Sequence, residues 1–143
     1  MTLGQTAVFV LKIIGVLSLL AIIAVATGAF FLQRRFSHCR LASDTMLEEY
    51  SPGKPAKNIF VRAQQLGFTY FAVQNLTSQH ELNLDFTTVS SQVSLTDLQQ
   101  ELDASASARV RIHIVPFPPF LRWILNFEIQ SGQVKSVERS QLD

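Results

Sequence analysis

Residues 13–32 read IIGVLSLLAIIAVATGAFFL and contain no charged side chain. Lys12 is the only charge between Ala7 and Leu32. A helix of about 20 residues, rising about 1.5 Å per residue, is about 30 Å long, which matches the hydrocarbon core of a bilayer. The sequence therefore predicts a membrane anchor over residues 1–35 that spans the lipid bilayer with residues 7–32.

A cleaved signal peptide is the alternative interpretation of this segment. Small residues that resemble cleavage sites occur at Ala24-Val25-Ala26 and at Ala26-Thr27-Gly28. The apolar run of a signal peptide is about 7–15 residues long, and this run is longer. Its length therefore favours a helix that is retained in the membrane.

The basic residues on the two sides of the apolar segment predict its orientation. Arg34, Arg35 and Arg40 follow it, whereas Lys12 lies at its start. The positive-inside rule then places the C-terminal domain in the cytoplasm, and the same three arginines suit anionic headgroups. The opposite orientation stays open because Lys12 can extend its ammonium to the nearer interface.

Small residues recur along one face of the predicted span. Ala21, Ala24 and Gly28 lie at helical spacing, and a face of this kind lets a second helix approach closely in lipid. The simpler explanation is that Ala and Gly are frequent in membrane helices. No acidic residue occurs in the span, which argues against an ion pathway there.

The chain beyond Leu32 is electrically neutral, with eleven basic residues (the chain's twelve less Lys12) and eleven acidic ones. This balance argues against nucleic-acid binding, for which a basic excess is typical.

The residue pattern predicts a juxtamembrane helix and a Pro/Gly hinge over 36–55, followed by a soluble domain over 56–143.

The predicted domain contains two helices and five strands in the order α-β-β-α-β-β-β. Period-2 alternation marks the strands, Ser94 and Asp97 form a predicted capping box, and Ser131-Gly132 marks a hairpin turn. The predicted helices cover 56–66 and 94–103, and the predicted strands cover 68–73, 81–89, 109–115, 123–129 and 134–137. We therefore expect an α+β domain with an antiparallel sheet and helices on one face.

Residue types that carry chemistry are scattered. His38, His80 and His113 lack the spacings of a zinc site, and Cys39 is the only cysteine, so an intrachain disulfide is excluded. The six glycines form no phosphate-binding loop. The sequence predicts no catalytic residue, no metal and no cofactor, and hence a protein that is not an enzyme.

The segment PFPPFLRW at residues 116–123 is the most unusual part of the domain. Its prolines enforce extended backbone, and Phe117, Phe120, Leu121 and Trp123 supply a large apolar surface. One interpretation is a crossover whose aromatic rings cap the core. The other is an exposed loop that contacts a partner or the membrane interface, which makes these four residues the candidate partner contact.

These patterns predict a single-pass membrane protein that serves as an accessory, assembly or scaffold subunit of a membrane complex. Its helix would pack against a membrane-protein partner and its domain would dock one. The alternative is a membrane-tethered module that binds or senses a small ligand or peptide. A pocket lined by Phe68, Tyr70, Phe71 and Trp123 would favour this alternative.

Overall fold

The computed structural model describes residues 3–88, 92–115 and 122–142. The chain divides into two compact units, Met1–Arg35 and Phe36–Asp143. The helices are α1 (Leu3–Glu49), α2 (Ile59–Gln65) and α3 (Leu95–Ala104). The strands are β1 (Tyr70–Asn75), β2 (Glu81–Asp85), β3 (Ser107–Ile114), β4 (Arg122–Gln130) and β5 (Gln133–Leu142). The predicted α+β class and the predicted order of elements are confirmed.

The first unit consists of the part of α1 up to Arg35. Its large apolar side chains are exposed, as for Leu17, Ile22 and Val25. This helix is long and apolar enough to cross a membrane, and none of its apolar window is buried. A signal sequence near the N-terminus can meet the same criteria of length and apolar composition.

The second unit is built on a five-stranded antiparallel sheet with the strand order β2-β1-β3-β4-β5. Val110 of β3 lies opposite Val73 of β1 on one side and Phe127 of β4 on the other. All three side chains are fully buried and share one face of the sheet. That face forms the core.

All three helices contribute to this core. The ring of Phe60 in α2 lies 6.3 Å from that of Phe71, and the ring of Tyr50, just after α1, lies 6.4 Å from that of Phe127. Leu98 of α3 belongs to the same buried cluster. Helices and sheet therefore form two layers, and the other sheet face is left without helices in the part of the chain that the structure describes.

The C-terminal part of α1 is an integral part of the folded unit. Cys39, Ala42 and Met46 recur at helical spacing and are buried. The stretch after it, in which the sequence predicts a hinge, is hydrogen-bonded to β5. The Gly53 amide donates to the Val134 carbonyl (2.7 Å), and the Val134 amide donates to the Lys54 carbonyl (2.8 Å).

Several element boundaries differ from the predicted ones for local reasons. α2 begins at Ile59 and not at residue 56, because Asn58 has a left-handed backbone with φ 59°. β2 ends at Asp85, whose carboxylate accepts hydrogen bonds from the Thr87 amide (2.8 Å) and hydroxyl (2.6 Å) and so forms a turn. The predicted end of this strand at Val89 lies outside the described residues.

Two predicted local motifs are confirmed. Ser94 and Asp97 form a reciprocal capping box at the start of α3. Ser131 and Gly132 connect β4 to β5 with positive φ angles of 52° and 76°. A two-residue hairpin loop with both φ angles positive matches the right-handed twist of the strands that it joins.

Candidate functional site

The residues predicted to pack against a second helix lie on the first unit. Ala21, Ala24 and Gly28 are all exposed on α1. In the described part of the chain, a Cβ atom added at Gly28 would have no atom within 4 Å outside its own turn of helix. Arg34 and Arg35, at the end of this unit, are exposed as well. Whether a second helix packs on this face stays a prediction.

The candidate partner contact falls largely outside the described residues, which include neither Phe117 nor Phe120 nor Leu121. Trp123 is described, and it is only 6% exposed. The Phe36 ring packs edge-on against it at 5.5 Å between centroids. This member of the predicted contact therefore belongs to the core of the folded unit.

Trp123 also lines a cleft of about 400 Å³ together with Phe36, Arg40 and Arg139. The guanidinium of Arg139 lies over the indole, 5.5 Å from its centroid, and donates a hydrogen bond to the Asp44 carboxylate. Two strands and the second half of α1 thus bring together two rings and two cations that are up to about 100 residues apart in sequence.

The charges at this cleft do not cancel. Asp44 is the only carboxylate paired with either arginine in the described part of the chain, and its second contact, with the Arg40 Nε, is long at 3.9 Å. The indole Nε1–H of Trp123 is buried and has no hydrogen-bond partner among the described residues. The cleft therefore combines one excess positive charge with an unused N–H donor in one of its lining side chains.

The open face of the sheet carries a second polar surface, around a depression of about 330 Å³. The Arg109 guanidinium lies 3.7 Å from the Glu128 carboxylate. The Arg111 guanidinium donates to the Asn126 side-chain oxygen (3.3 Å), and the Ser136 hydroxyl donates to Glu128 (3.2 Å). These side chains largely satisfy one another and remain exposed to solvent.

Tyr70 and His113 pack together on this same open face, with ring centroids 4.5 Å apart. Burial, followed by the positive charges of Arg111 and Arg122, lowers the pKa of His113, which favours the neutral imidazole. Burial, followed by the charge of Glu81, raises the pKa of the Tyr70 hydroxyl. The His113 Nε2 is buried and has no hydrogen-bond partner in the described residues.

The aromatic pocket expected for a ligand-binding module is not assembled from the four residues named for it. Phe68 and Phe71 are fully buried in the core. Tyr70 precedes Phe71 in β1, and consecutive side chains of a strand point to opposite faces. Tyr70 therefore lies on the open face, away from Phe71 and Trp123.

The three histidines have separate surroundings. His80 lies 3.5 Å from the Glu101 carboxylate, His113 stacks on Tyr70, and the His38 Nε2 lies beside Gly67. Within residues 3–88, 92–115 and 122–142, no group of three or more His, Cys, Asp or Glu side chains could hold a metal ion.

The cleft at Trp123 is the feature that sequence reasoning missed. The sequence indicated Arg40 and Trp123 separately, but it gave no signal for Asp44 or Arg139. Comparison of the chain with protein-family models, with curated proteins and with solved structures gives no significant match. Arguments about function therefore rest on the geometry described above.

Proposed function

We propose that this chain is a single-pass membrane protein, anchored by α1, that acts as a non-enzymatic accessory, assembly or scaffold subunit of a membrane complex. The observation that carries the proposal is the uncovered apolar surface of the first unit. Phe9, Leu17, Ile22, Val25 and Phe31 are each more than half exposed. A continuous apolar surface of this size marks contact with lipid or with a protein partner.

The face with Ala21, Ala24 and Gly28 gives the proposal its specific form. Within lipid, helices associate through close packing, and small side chains allow the backbones to approach. All three of these residues are small and exposed, so this face allows a partner helix to make a close backbone contact. Outside its own turn of helix, no atom of the described residues lies within 4 Å of a Cβ atom added at Gly28, which leaves room for such a partner.

Native electrophoresis of membranes extracted in mild detergent tests this proposal with a matched pair of variants. Gly28→Ile fills the small-residue face, whereas Ala26→Ile adds the same side chain about 160° away around the helix, at about 100° per residue. We expect the unmodified chain and A26I to migrate in a complex and G28I to migrate alone. Migration of the unmodified chain as a monomer, or equal behaviour of both variants, would contradict the proposal.

The anchor itself is tested separately by alkaline carbonate extraction of membranes. A spanning helix stays in the pellet, whereas release of the full-length chain into the supernatant would remove the basis for the proposal. Cleavage after Ala26, as a signal peptide would undergo, would be seen as a mature chain that lacks the apolar segment. Mass measurement of the membrane-bound chain distinguishes these outcomes.

We further propose that the folded unit lies in the cytoplasm, on the basis of Arg34, Arg35 and Arg40. Lys135→Cys places a thiol on an exposed position of β5. An impermeant maleimide should label this variant only after the cells are permeabilised. The unmodified chain, whose single Cys39 is buried, is the matched background. Labelling of K135C in intact cells would reverse the orientation.

A membrane-tethered binding module remains the second candidate function. Its support is the depression on the open sheet face, where Arg109, Arg111 and Glu138 present both signs of charge. Such a surface suits a small polar ligand or a peptide carrying charges of both signs. A chain that stays monomeric in mild detergent, and whose thermal stability rises when such a ligand is added, would favour this candidate over the first.

A further inference from the structure

We propose that the cleft formed by Phe36, Arg40, Trp123 and Arg139 binds the phosphate group of an anionic phospholipid. This inference rests on the proposed membrane anchor and adds a specific lipid contact to it. The cleft has a volume of about 400 Å³. That volume is within the usual range for small-ligand sites.

The side chains around the cleft match the chemistry of a phosphate diester. Guanidinium groups bind phosphate through several N–H donors in a planar arrangement. Arg139 uses its Nη1 for Asp44, which leaves donors on its other nitrogens. Arg40 is two-thirds exposed and makes only a 3.9 Å contact with Asp44. Both cations thus retain capacity for an anion.

Trp123 supplies a second and independent observation. Only 6% of its surface is exposed, and its Nε1–H has no hydrogen-bond partner in the described residues. A buried N–H without a partner is rare because its desolvation is uncompensated. Phosphate oxygens are strong acceptors, so the proposed headgroup would give this donor a partner where it reaches the Nε1 atom.

The rings of Phe36 and Trp123 suit the remainder of a lipid molecule. Trp is favoured where an apolar environment meets a polar one, as at the headgroup level of a membrane. The cleft therefore offers apolar contact and cationic contact side by side. A free phosphate ion would use only the cationic contact.

The position of the cleft along the chain selects a lipid as the source of the phosphate. Phe36 follows Leu32, the last residue of the apolar run, by four residues. Even a fully extended chain keeps these two residues within about 14 Å of each other. If α1 spans the bilayer, Phe36 is therefore confined to the headgroup region.

Trp123 makes the test direct, because it is the only tryptophan of the chain. The full-length protein in an uncharged maltoside detergent is titrated with phosphatidylglycerol, and the fluorescence of Trp123 is recorded. We expect a saturable change with phosphatidylglycerol and none with phosphatidylcholine at the same concentrations. Equal responses to the two lipids would overturn the proposal.

Charge variants show whether the two arginines carry the binding. We expect Arg40→Gln with Arg139→Gln to weaken phosphatidylglycerol binding at least about tenfold, because charge-assisted hydrogen bonds are lost. Lys57→Gln with Lys135→Gln removes the same charge from exposed positions elsewhere on the folded unit and should leave the affinity unchanged. Equal weakening by both pairs would show a general charge effect and overturn the proposal.

Two further variants keep the test decisive if the double variant fails to fold. Arg40→Gln alone removes an exposed side chain with one long contact, and we expect weakening of about threefold to tenfold. Asp44→Asn removes the competing carboxylate, and we expect tighter lipid binding by about threefold or more. A gain of affinity cannot arise from misfolding, so unchanged or weaker binding by D44N would contradict the proposed site.

Two controls complete the test. One distinguishes a lipid from free phosphate as the ligand, and the other distinguishes failure of this inference from failure of the proposed function. Inorganic phosphate should fail to produce the Trp123 response at lipid concentrations, and an equal response to it would overturn the assignment to a lipid. Alkaline carbonate extraction tests the anchor independently. A chain that resists extraction but shows no lipid selectivity refutes this inference alone, whereas a chain that is extracted refutes the proposed function.

Discussion

The second half of α1 should contribute to the stability of the folded unit as much as a core helix does. Met46 is fully buried in the cluster that also holds Phe127, whereas Leu41, on the same helix, is 66% exposed. Replacing either residue by alanine removes three heavy atoms. The two variants therefore lose the same number of atoms from nearby positions of one helix, and they differ mainly in how buried those atoms are.

The expected magnitude follows from the atoms removed. Three buried groups at about 0.8 kcal/mol each contribute about 2.4 kcal/mol, and the cavity left behind raises the loss for Met46→Ala to about 3–4 kcal/mol. In a unit of about 110 residues this corresponds to a fall in Tm of about 12–16 °C. Leu41→Ala should change the free energy of unfolding by less than about 0.5 kcal/mol.

Fluorescence of Trp123 is the appropriate probe, because this single tryptophan lies in the folded unit and does not report on the apolar helix. Thermal unfolding of the full-length chain is recorded in detergent for the unmodified protein and both variants. A similar Tm for M46A and L41A would refute the conclusion that residues 36–49 form part of the core. It would restore the interpretation of this segment as a separate juxtamembrane helix.

Further predictions concern the hairpin, the capping box and the half-buried His113, and the same unfolding assay checks them. Gly132→Ala forces a side chain onto a φ of 76° and should lower the free energy of unfolding by about 1–2 kcal/mol. Gly15→Ala is the control: outside its own turn of helix, the added Cβ would meet no atom of the described residues within 4 Å, and the Tm of the folded unit should stay unchanged. Ser94→Ala removes the acceptor for the Asp97 amide (3.2 Å) and should cost about 0.5–2 kcal/mol. Because burial lowers the pKa of His113 below its usual 6.5, the unfolded chain binds the proton more readily, and stability should fall as the pH drops below about 6.5 until the folded-state pKa is passed. His113→Gln should flatten this pH dependence, and a slope that persists unchanged in that variant would assign it to other groups.

Local patterns in the sequence predicted most of the secondary structure correctly. The alternation of Val110, Ile112 and Ile114 marked β3, and the Ser94/Asp97 pair marked the start of α3. Such signals are readable because side-chain period and capping depend on residues only a few positions apart. The boundaries at Asn58 and Asp85 were missed because a left-handed backbone and a side-chain turn overrode the pattern.

The candidate site depends on contacts that no local pattern contains. Arg139 reaches Asp44 across 95 positions of sequence, and Phe36 meets Trp123 only because α1 packs on the inner face of β4. Period-2 alternation shows that a strand has two faces, but it does not show which strands are neighbours. The placement of β1 between β2 and β3 is a long-range choice of this kind.

The amino-acid sequence alone determined the length and apolar character of α1, the α+β class and the order of the elements. These properties follow from composition and from short-range periodicity. Only the tertiary structure decided that residues 36–49 belong to the core, that Tyr70 and His113 share the open face, and that two arginines and two rings line one cleft. Strand pairing and helix packing bring distant residues together, and the free energy of those contacts is not expressed in any single segment.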